Sequence, residues 1–198
     1  EARDEETGAP MPQEQVLDEL MTFVAAGHET TAHGLSWMYY LLSQAPAARE
    51  RMEQEVDEAL QGRVPAAVDA ERLTWTTACF SEAMRLYPPV WHVQRVAIDD
   101  DIVCGYRVPA GSLMVVSIWS THRDPAVYPN PAAFDPRRWL GEVVGRRPRH
   151  AYLPFGGGRR VCVGQGFAML NATLLAAMIW LTSSQLLRTK PPMPRTFW

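Results

Sequence analysis

Cysteine is scarce in this sequence: the three cysteines, at positions 79, 104 and 162, are an odd number with wide spacing. That pattern argues against a disulfide framework and suits a reducing compartment. Basic residues are not in excess either, since 19 Lys and Arg are set against 22 Asp and Glu, for a net charge of −3. The composition therefore gives no reason to expect a nucleic-acid partner.

Long apolar runs are also missing. The nearest one, residues 167–181, is interrupted by Asn171 and Thr173 and is shorter than the roughly 18–20 residues that a membrane-spanning helix needs. We therefore expect no membrane span and a cytoplasmic protein. The chain starts at Glu1 rather than at a methionine, so an anchor in a missing N-terminal portion would leave no trace.

The 198 residues, 47% hydrophobic and 21% charged, are enough for one domain with a sizeable core. Apolar spacing and helix-end signals predict four helices: one of about 30 residues that begins at Gln13 and ends before Pro46, and three at about 47–61, 69–86 and 165–181. Four short β-rich segments, separated by turn residues, predict one small antiparallel sheet: 93–98, 102–103, 106–108 and 113–119. The charge-rich face of the second helix is interpreted as solvated, and 121–154 as an ordered meander.

Four glycines surround Cys162 within residues 155–164. Glycine weakens an ordinary helix or strand, so this backbone predicts the close approach of another group. The thiolate is the metal-binding form of cysteine and is favoured by cations such as Arg159 and Arg160. A single cysteine does not build a zinc or iron–sulfur site, but it suffices for haem. A small buried hydrophobe is an equally weighted alternative for Cys162 in isolation, and it is our expectation for Cys79 and Cys104.

The segment fits the pattern F-x-x-G-x-R-x-C-x-G at every fixed position, and it resembles the haem-binding loop of the cytochrome P-450 monooxygenases. The resemblance implies that the cofactor is haem b (iron protoporphyrin) with Cys162 as its axial thiolate. It also implies that Arg160 meets a haem propionate. Phe155, Gly158 and Gly164 would shape the loop beneath the sulfur.

A second motif interrupts the first helix, where Gly27 follows two alanines and precedes a polar run. A zinc site is excluded because His28 and His33 are five residues apart, about 140° around the helix. A polar face turned to water remains the simple alternative. The segment 26–31 resembles the family's oxygen-binding motif, which implies that Ala26 and Gly27 make room for dioxygen. Thr30 would hydrogen-bond that oxygen, and Glu29 would help to relay protons.

The third motif is Glu82 and Arg85, which are neighbours on one helix face. Exposed pairs of this kind are common and contribute at most about 1 kcal/mol. In its context, however, the pair resembles the family's E-x-x-R motif, and Arg138 in Pro136-Arg137-Arg138-Trp139 matches the third partner. The resemblance implies a buried structural triad. Arg137 stands where the family often has Glu, which adds positive charge and leaves the triad complete.

The resemblance also assigns residues to the pocket. Arg95 matches an arginine that often meets a haem propionate, although an edge-strand charge is the simpler interpretation. The residues implied to line the substrate pocket are Phe23, Val90, Trp91 and His92. Arginines concentrate near the cysteine loop, where an acidic electron donor could dock or where a loop could simply be solvated: Arg146, Arg147, Arg149, Arg159 and Arg160.

The resemblance covers about residues 13–181, with the motifs in the family's order. It implies a mainly α fold with a small antiparallel β-sheet, the carboxy-terminal half of a cytochrome P-450-like fold. Residues 1–12 are interpreted as a mobile acidic lead-in and 182–198 as a divergent or truncated tail. Asn171 stands where the family usually has Glu, which would weaken a local salt bridge.

The activity implied is monooxygenation of a small, apolar organic substrate by dioxygen, with electrons from a ferredoxin, a flavodoxin or a reductase. One alternative is a catalytically incomplete haem-binding or partner-binding fragment. A peroxide-driven or isomerising member of the family is a further alternative, against which the intact Thr30 argues.

Overall fold

The computed structural model describes Arg3, residues 8–141, Gly145 and residues 147–189, except for the side chains of 185–189. In these residues the α-helices are α1 (Gln13–Gln44), α2 (Pro46–Leu60), α3 (Thr74–Leu86), α4 (Ile118–Thr121) and α5 (Gln165–Thr189). The strands are β1 (His92–Val96), β2 (Asp101–Val103), β3 (Tyr106–Val108) and β4 (Leu113–Ser117). Short 3-10 turns include Ala67–Arg72, Pro136–Trp139 and Gly158–Arg160. The predicted mainly helical class is confirmed.

Helix α1 is 32 residues long, as its apolar spacing predicts. Its second half turns Leu35, Met38 and Leu42 into the core, whereas residues 13–29 have no buried member. Gly27 does not break the helix, because one interior glycine costs only about 1 kcal/mol relative to alanine. The amino-terminal half of α1 thus leaves the packed core and carries the 26–30 segment with it.

Helix α1 packs closely on α3 at Gly34. A Cβ built at Gly34 would lie 2.9 Å from Phe80 Cε2 and 3.1 Å from Phe80 Cζ. Phe80 is 2% exposed, so its ring has little room to move away. The absence of a side chain at Gly34 therefore sets the distance between the two helices.

The third predicted helix, 69–86, is wrong at its start, because a 3-10 turn ends at Arg72 and α3 begins at Thr74. The Glu55 carboxylate of α2 fixes this start by accepting hydrogen bonds from Trp75 N (2.6 Å) and Thr76 N (2.8 Å). These are donors that a helix end cannot satisfy within itself. The prediction that the charged face of α2 is solvated is therefore wrong at Glu55, because this residue caps a neighbouring helix.

The four strands form two separate two-stranded sheets rather than the one sheet predicted. β1 pairs with β4 in antiparallel register, and β2 pairs with β3. The β2–β3 hairpin turns at Cys104 and Gly105, whose φ angles of 51° and 84° suit a tight two-residue turn. Cys104 is exposed there, so the expectation that it is a buried hydrophobe is wrong; for Cys79, which is buried, the expectation is confirmed.

Helix α5 supplies Ala172, Ala176 and Ala177 to the core formed with α1, α2 and α3. It runs to Thr189, past the predicted end at residue 181, so part of the predicted tail is helical; residues 190–198 lie outside the described part. By length and composition alone, Gln165–Ser184 could cross a membrane, contrary to our expectation that no segment could. Its buried residues pack against α1, α2 and α3.

Candidate active site

The segment around Cys162 is a tight loop between the meander and α5. Gly156 and Gly158 have φ angles of 74° and 71°, a region that L side chains rarely adopt. The loop closes on itself, because Cys162 N donates a hydrogen bond to Phe155 O at 2.9 Å. Phe155 is half-buried against the main core. The glycines therefore allow a turn that a packed phenylalanine fixes at one end.

The thiol of Cys162 is exposed at the end of this loop. Among the described residues its sulfur has no hydrogen-bond partner, and Gln165, the first residue of α5, donates its N–H to Cys162 O at 3.4 Å. A Cβ at Gly164 would touch the sulfur at 3.8 Å, so glycine leaves this side of the thiol open. Three apolar side chains near it in sequence are also exposed: Val161, Val163 and Phe167.

These surroundings fit the haem that the loop motif implies. A single accessible sulfur suits a cofactor that brings its own metal, and uncovered apolar side chains suit a flat apolar macrocycle. Within the described part of the chain, no group of three or more His, Cys, Asp or Glu residues could hold a metal ion.

The two arginines assigned to haem propionates, Arg95 and Arg160, are both exposed. Arg95 lies on β1 and donates from Nη1 to Gln94 O at 2.6 Å, and Arg160 ends the 3-10 turn before Cys162. Neither forms an ion pair with a described acidic residue. Both guanidinium groups are thus available to an anionic ligand, and their roles stay predictions.

The 26–30 segment forms a regular turn of α1 on its uncovered half. Thr30 Oγ1 donates to Ala26 O at 2.7 Å, which leaves the hydroxyl oxygen free to accept another hydrogen bond. Glu29 is exposed, and nothing lies within 4 Å of a Cβ built at Gly27. No hydrogen bond or ion pair between described residues joins this segment to Cys162, so the structure does not bring the two motifs into direct contact.

The residues predicted to line a substrate pocket lie on open surfaces. Phe23 on α1 is 60% exposed, and Val90 and Trp91 are 44% and 57% exposed. His92 begins β1, with its ring 3.8 Å from that of Trp91 between centroids. Within the described residues these side chains are accessible rather than enclosed in a pocket, and their role stays a prediction.

The structure does bring Glu82, Arg85 and Arg138 together. Glu82 and Arg85 have no exposed surface and share two hydrogen bonds of 2.8 Å, from Arg85 Nε and Nη2 to the two carboxylate oxygens. Arg138 Nε lies 3.4 Å from Glu82 Oε1. Asp135 N and Trp139 Nε1 also donate to Glu82, at 3.0 and 2.9 Å. A buried ion pair needs such additional hydrogen bonds to offset its desolvation.

Arg85 connects this cluster to the meander. Its Nη1 donates to His122 O (2.9 Å) and Pro131 O (2.7 Å), and its Nη2 donates to Ala133 O (3.0 Å). All three carbonyls belong to a stretch without long helices or strands, which has few other partners for them. Arg85 thus donates to these carbonyls the hydrogen bonds that a helix or strand would otherwise provide.

Two further side chains hold the end of the meander, directly before the cysteine loop, and the sequence analysis missed both. Tyr152 donates its hydroxyl to Ser81 O of α3 at 3.0 Å. His122 Nε2 accepts the N–H of Leu153 at 2.7 Å. Burial lowers the pKa of His122 to about 4, which keeps the ring neutral and able to accept. No motif marked these residues, because their partners are backbone atoms distant in sequence.

The arginine-rich surface is only partly described, because Arg146 lies outside the described residues. Arg147 stacks on Trp139, with its guanidinium 3.9 Å from the ring centroid, and donates to Arg138 O. Arg149 and Arg159 are exposed. The surface near the loop therefore carries cationic groups, and its docking role stays a prediction.

Comparison with known proteins points to one family. The family model "Cytochrome P450" matches residues 1–189. A protein of Mycobacterium tuberculosis named as a cytochrome P450 is 47% identical over 172 residues, which are 87% of this chain and 37% of that protein. Cyclooctatin synthase of Streptomyces melanosporofaciens is 45% identical and matches 90% of this chain and 39% of its own length.

Solved structures agree. The crystal structure of the cytochrome P450DA heme domain superimposes with a TM-score of 0.85 at 35% identity, covering 90% of this chain and 40% of that one. The chain spans less than two fifths of the length of these two curated relatives. The predicted partial fold is thereby confirmed.

Proposed function

The chain belongs to the cytochrome P450 family, and from this we propose that it is the carboxy-terminal part of a haem-thiolate monooxygenase. One observation carries the proposal. Cys162 presents an exposed thiol on a glycine-rich loop directly before the core helix α5. Family membership alone does not establish this chemistry, because the function depends on whether the chain itself carries such a ligand.

In this proposal Cys162 binds the iron of haem b through its thiolate. Arg160 and Arg95 pair with the haem propionates, for which a planar guanidinium fork is well suited. Gly158 and Gly164 would let the loop backbone approach the haem closely, and Phe155 anchors the loop to the core. The haem would supply the activation of dioxygen and the transfer of one oxygen atom to the substrate.

The chain's own part in catalysis would be to supply protons to the reaction. Monooxygenation converts R–H, O₂, two electrons and two protons into R–OH and water. The Thr30 hydroxyl, which donates to Ala26 O in the structure, would turn its proton at Oγ1 towards dioxygen. Glu29 would replace that proton from solvent, to which it is exposed. Ala26 and Gly27 would leave room for dioxygen. Phe23, Val90, Trp91 and His92 would contact the apolar substrate.

Glu82, Arg85 and Arg138 have a structural role in this proposal. They hold the meander against α3, and Tyr152 continues that support to the cysteine loop. The substrate is a small, apolar organic molecule, and the electron donor is a ferredoxin, a flavodoxin or a reductase. An acidic face on the donor would match the exposed arginines near the loop.

The reduced, carbon monoxide-bound absorption spectrum tests the proposal. Haem-loaded protein is expected to give the long-wavelength Soret band of thiolate ligation. Cys162→Ala is expected to lose that band, whereas Cys104→Ala, which removes the other exposed thiol, is expected to keep it. Thiolate ligation in Cys162→Ala would refute the assignment of the ligand. Product formation that requires a reductase then separates a monooxygenase from a peroxide-driven enzyme.

A further inference from the structure

His122 follows helix α4 and has no exposed surface. Its Nε2 accepts the Leu153 N–H at 2.7 Å, and its ring stacks on Tyr152 with centroids 5.0 Å apart. A ring nitrogen that accepts a backbone N–H carries no proton itself, so the neutral ring has its proton on Nδ1. The imidazole acts here as a hydrogen-bond acceptor inside the core.

The position of His122 is fixed from two sides. Its own N–H donates to Ile118 O in α4 at 2.9 Å, and its own carbonyl accepts Arg85 Nη1 at 2.9 Å. Arg85 is in turn bound to the buried Glu82 carboxylate. The buried Glu82–Arg85 pair therefore helps to fix the position of the acceptor nitrogen.

A series of backbone hydrogen bonds leads from His122 to Cys162. Leu153, whose N–H is held by His122, accepts Gly156 N with its carbonyl at 2.9 Å. Phe155, two residues beyond Leu153, accepts Cys162 N at 2.9 Å. A shift of Leu153 would consequently move both carbonyls that define the loop, and with them the backbone that carries the sulfur.

We propose that His122 is a positioning residue that sets the cysteine loop for metal ligation by accepting the Leu153 N–H. The proposal rests on the function proposed above, in which Cys162 is the ligand. An apolar residue could fill the same volume, and it would not bury an Nδ1 that has no partner among the described residues. What an apolar side chain cannot supply is an acceptor for Leu153.

Four variants separate this role from general stability. His122→Gln can place an amide oxygen near the position of Nε2, whereas the shorter His122→Asn reaches only the position of Nδ1 and leaves Leu153 N unpaired. His122→Phe keeps a ring against Tyr152 and removes the acceptor. Tyr128→Phe is the control, because it deletes another buried hydrogen bond, from Tyr128 Oη to Ala151 O (3.0 Å), two residues before Leu153.

Two measurements are made on each variant. In haem-free protein, amide hydrogen exchange at Leu153, Gly156 and Cys162 is expected to quicken roughly tenfold or more in His122→Asn and His122→Phe, with α2 unchanged. Haem-loaded, reduced and carbon monoxide-bound protein is expected to lose most of the thiolate band in the same two variants. His122→Gln and Tyr128→Phe are expected to keep both loop protection and band.

An unchanged thiolate band in His122→Asn, or equal loss of protection in the loop and in α2, would overturn the proposal. Because Asn and Gln are both small amides, this pair decides the question even if His122→Phe does not fold. Absence of the thiolate band from the unsubstituted protein would instead refute the proposed function. Exchange at the three loop amides would still judge the role of His122.

Discussion

The three cysteines differ in what surrounds each thiol. Cys79 is fully buried in α3, and burial raises its pKa well above the ordinary value, so it is inert. Cys104 is exposed in a left-handed turn, and Cys162 is exposed between two valines, Val161 and Val163, whose side chains are also exposed. Residue type alone does not distinguish these environments. The glycine and arginine spacing around Cys162 does, which is why the sequence analysis selected this cysteine as the proposed ligand.

Thr30 is the residue whose chemistry is easiest to isolate. We expect Thr30→Ala to retain haem but to release more peroxide per product molecule, because one proton source beside dioxygen is lost. The measurement is the ratio of peroxide to product in a preparation that turns over substrate. Thr22→Ala is the matched control, since Thr22 Oγ1 makes the same type of bond in α1, to Asp18 O at 2.8 Å. Unchanged coupling in Thr30→Ala would contradict the proton-relay assignment.

His122 also makes stability depend on pH. Its pKa is about 4 when folded, against an ordinary 6.5, because burial disfavours the charged ring and the nearby cations Arg85 and Arg123 add to this; Tyr152 faces the ring without a charge. A lowered histidine pKa means that the unfolded chain binds the proton more tightly. The contribution is therefore complete above about pH 6.5 and is lost as pH falls towards 4, by about 3 kcal/mol.

Urea unfolding at a series of pH values measures this loss. The free energy of unfolding of the unsubstituted protein is expected to fall more steeply between pH 6.5 and 4 than that of His122→Gln, which has no ring to protonate. Parallel curves for the two proteins would show that another group is responsible.

At the scale of elements, the sequence predicts what local patterns determine and misses what distant contacts determine. The apolar residues at helical spacing in α1, and the prolines that follow α1 and α3, predicted correctly where these two helices end. The late start of α3 depends on Glu55, a residue on another helix whose carboxylate reaches Trp75 N and Thr76 N. The separation of the strands into two sheets likewise depends on pairing between β1 and β4, which no local pattern specifies.

The contact between α1 and α3 gives a prediction at this scale. Gly34→Ala is expected to destabilise the fold, because overpacking against Phe80 costs about 1–3 kcal/mol, more than the roughly 1 kcal/mol gained in helix propensity. Gly27→Ala, on the open half of the same helix, is expected to stabilise the chain slightly. Urea unfolding of both variants is the measurement. Equal stabilisation by the two alanines would mean that Phe80 moves aside without cost.

Considered as a whole, the molecule has one packed side and one open side. Helices α1, α2, α3 and α5 share the core, whereas residues 13–29 of α1 project from it. Five apolar side chains on that half are more than 50% exposed: Leu17, Leu20, Met21, Phe23 and Val24. The order of the motifs predicted the family and the partial fold, because each motif has a fixed place along the chain. It could not predict which faces stay uncovered.

We expect this uneven packing to appear in amide exchange of the 198-residue chain. An unsupported helical half of this length is only marginally stable in water. Residues 13–29 are therefore expected to exchange roughly 100-fold faster than residues 35–42 of the same helix. Measurement at several protein concentrations is the control, because self-association would cover the apolar half. Equal protection at the lowest concentration would contradict the description of two unlike halves.

The exposed thiol of Cys104 offers a way to measure how much of the Cys162 sulfur is occupied. The chain has three thiols, and one of them, Cys79, is buried. A maleimide dye added to the native protein would thus couple at two positions. Cys104 serves as the internal standard, because it stays exposed, and labelling of Cys162 varies with the occupancy of its sulfur. The ratio of dye at these two positions, read by peptide mass spectrometry, gives the occupancy of the sulfur in any preparation, including those too dilute or too turbid for a spectrum.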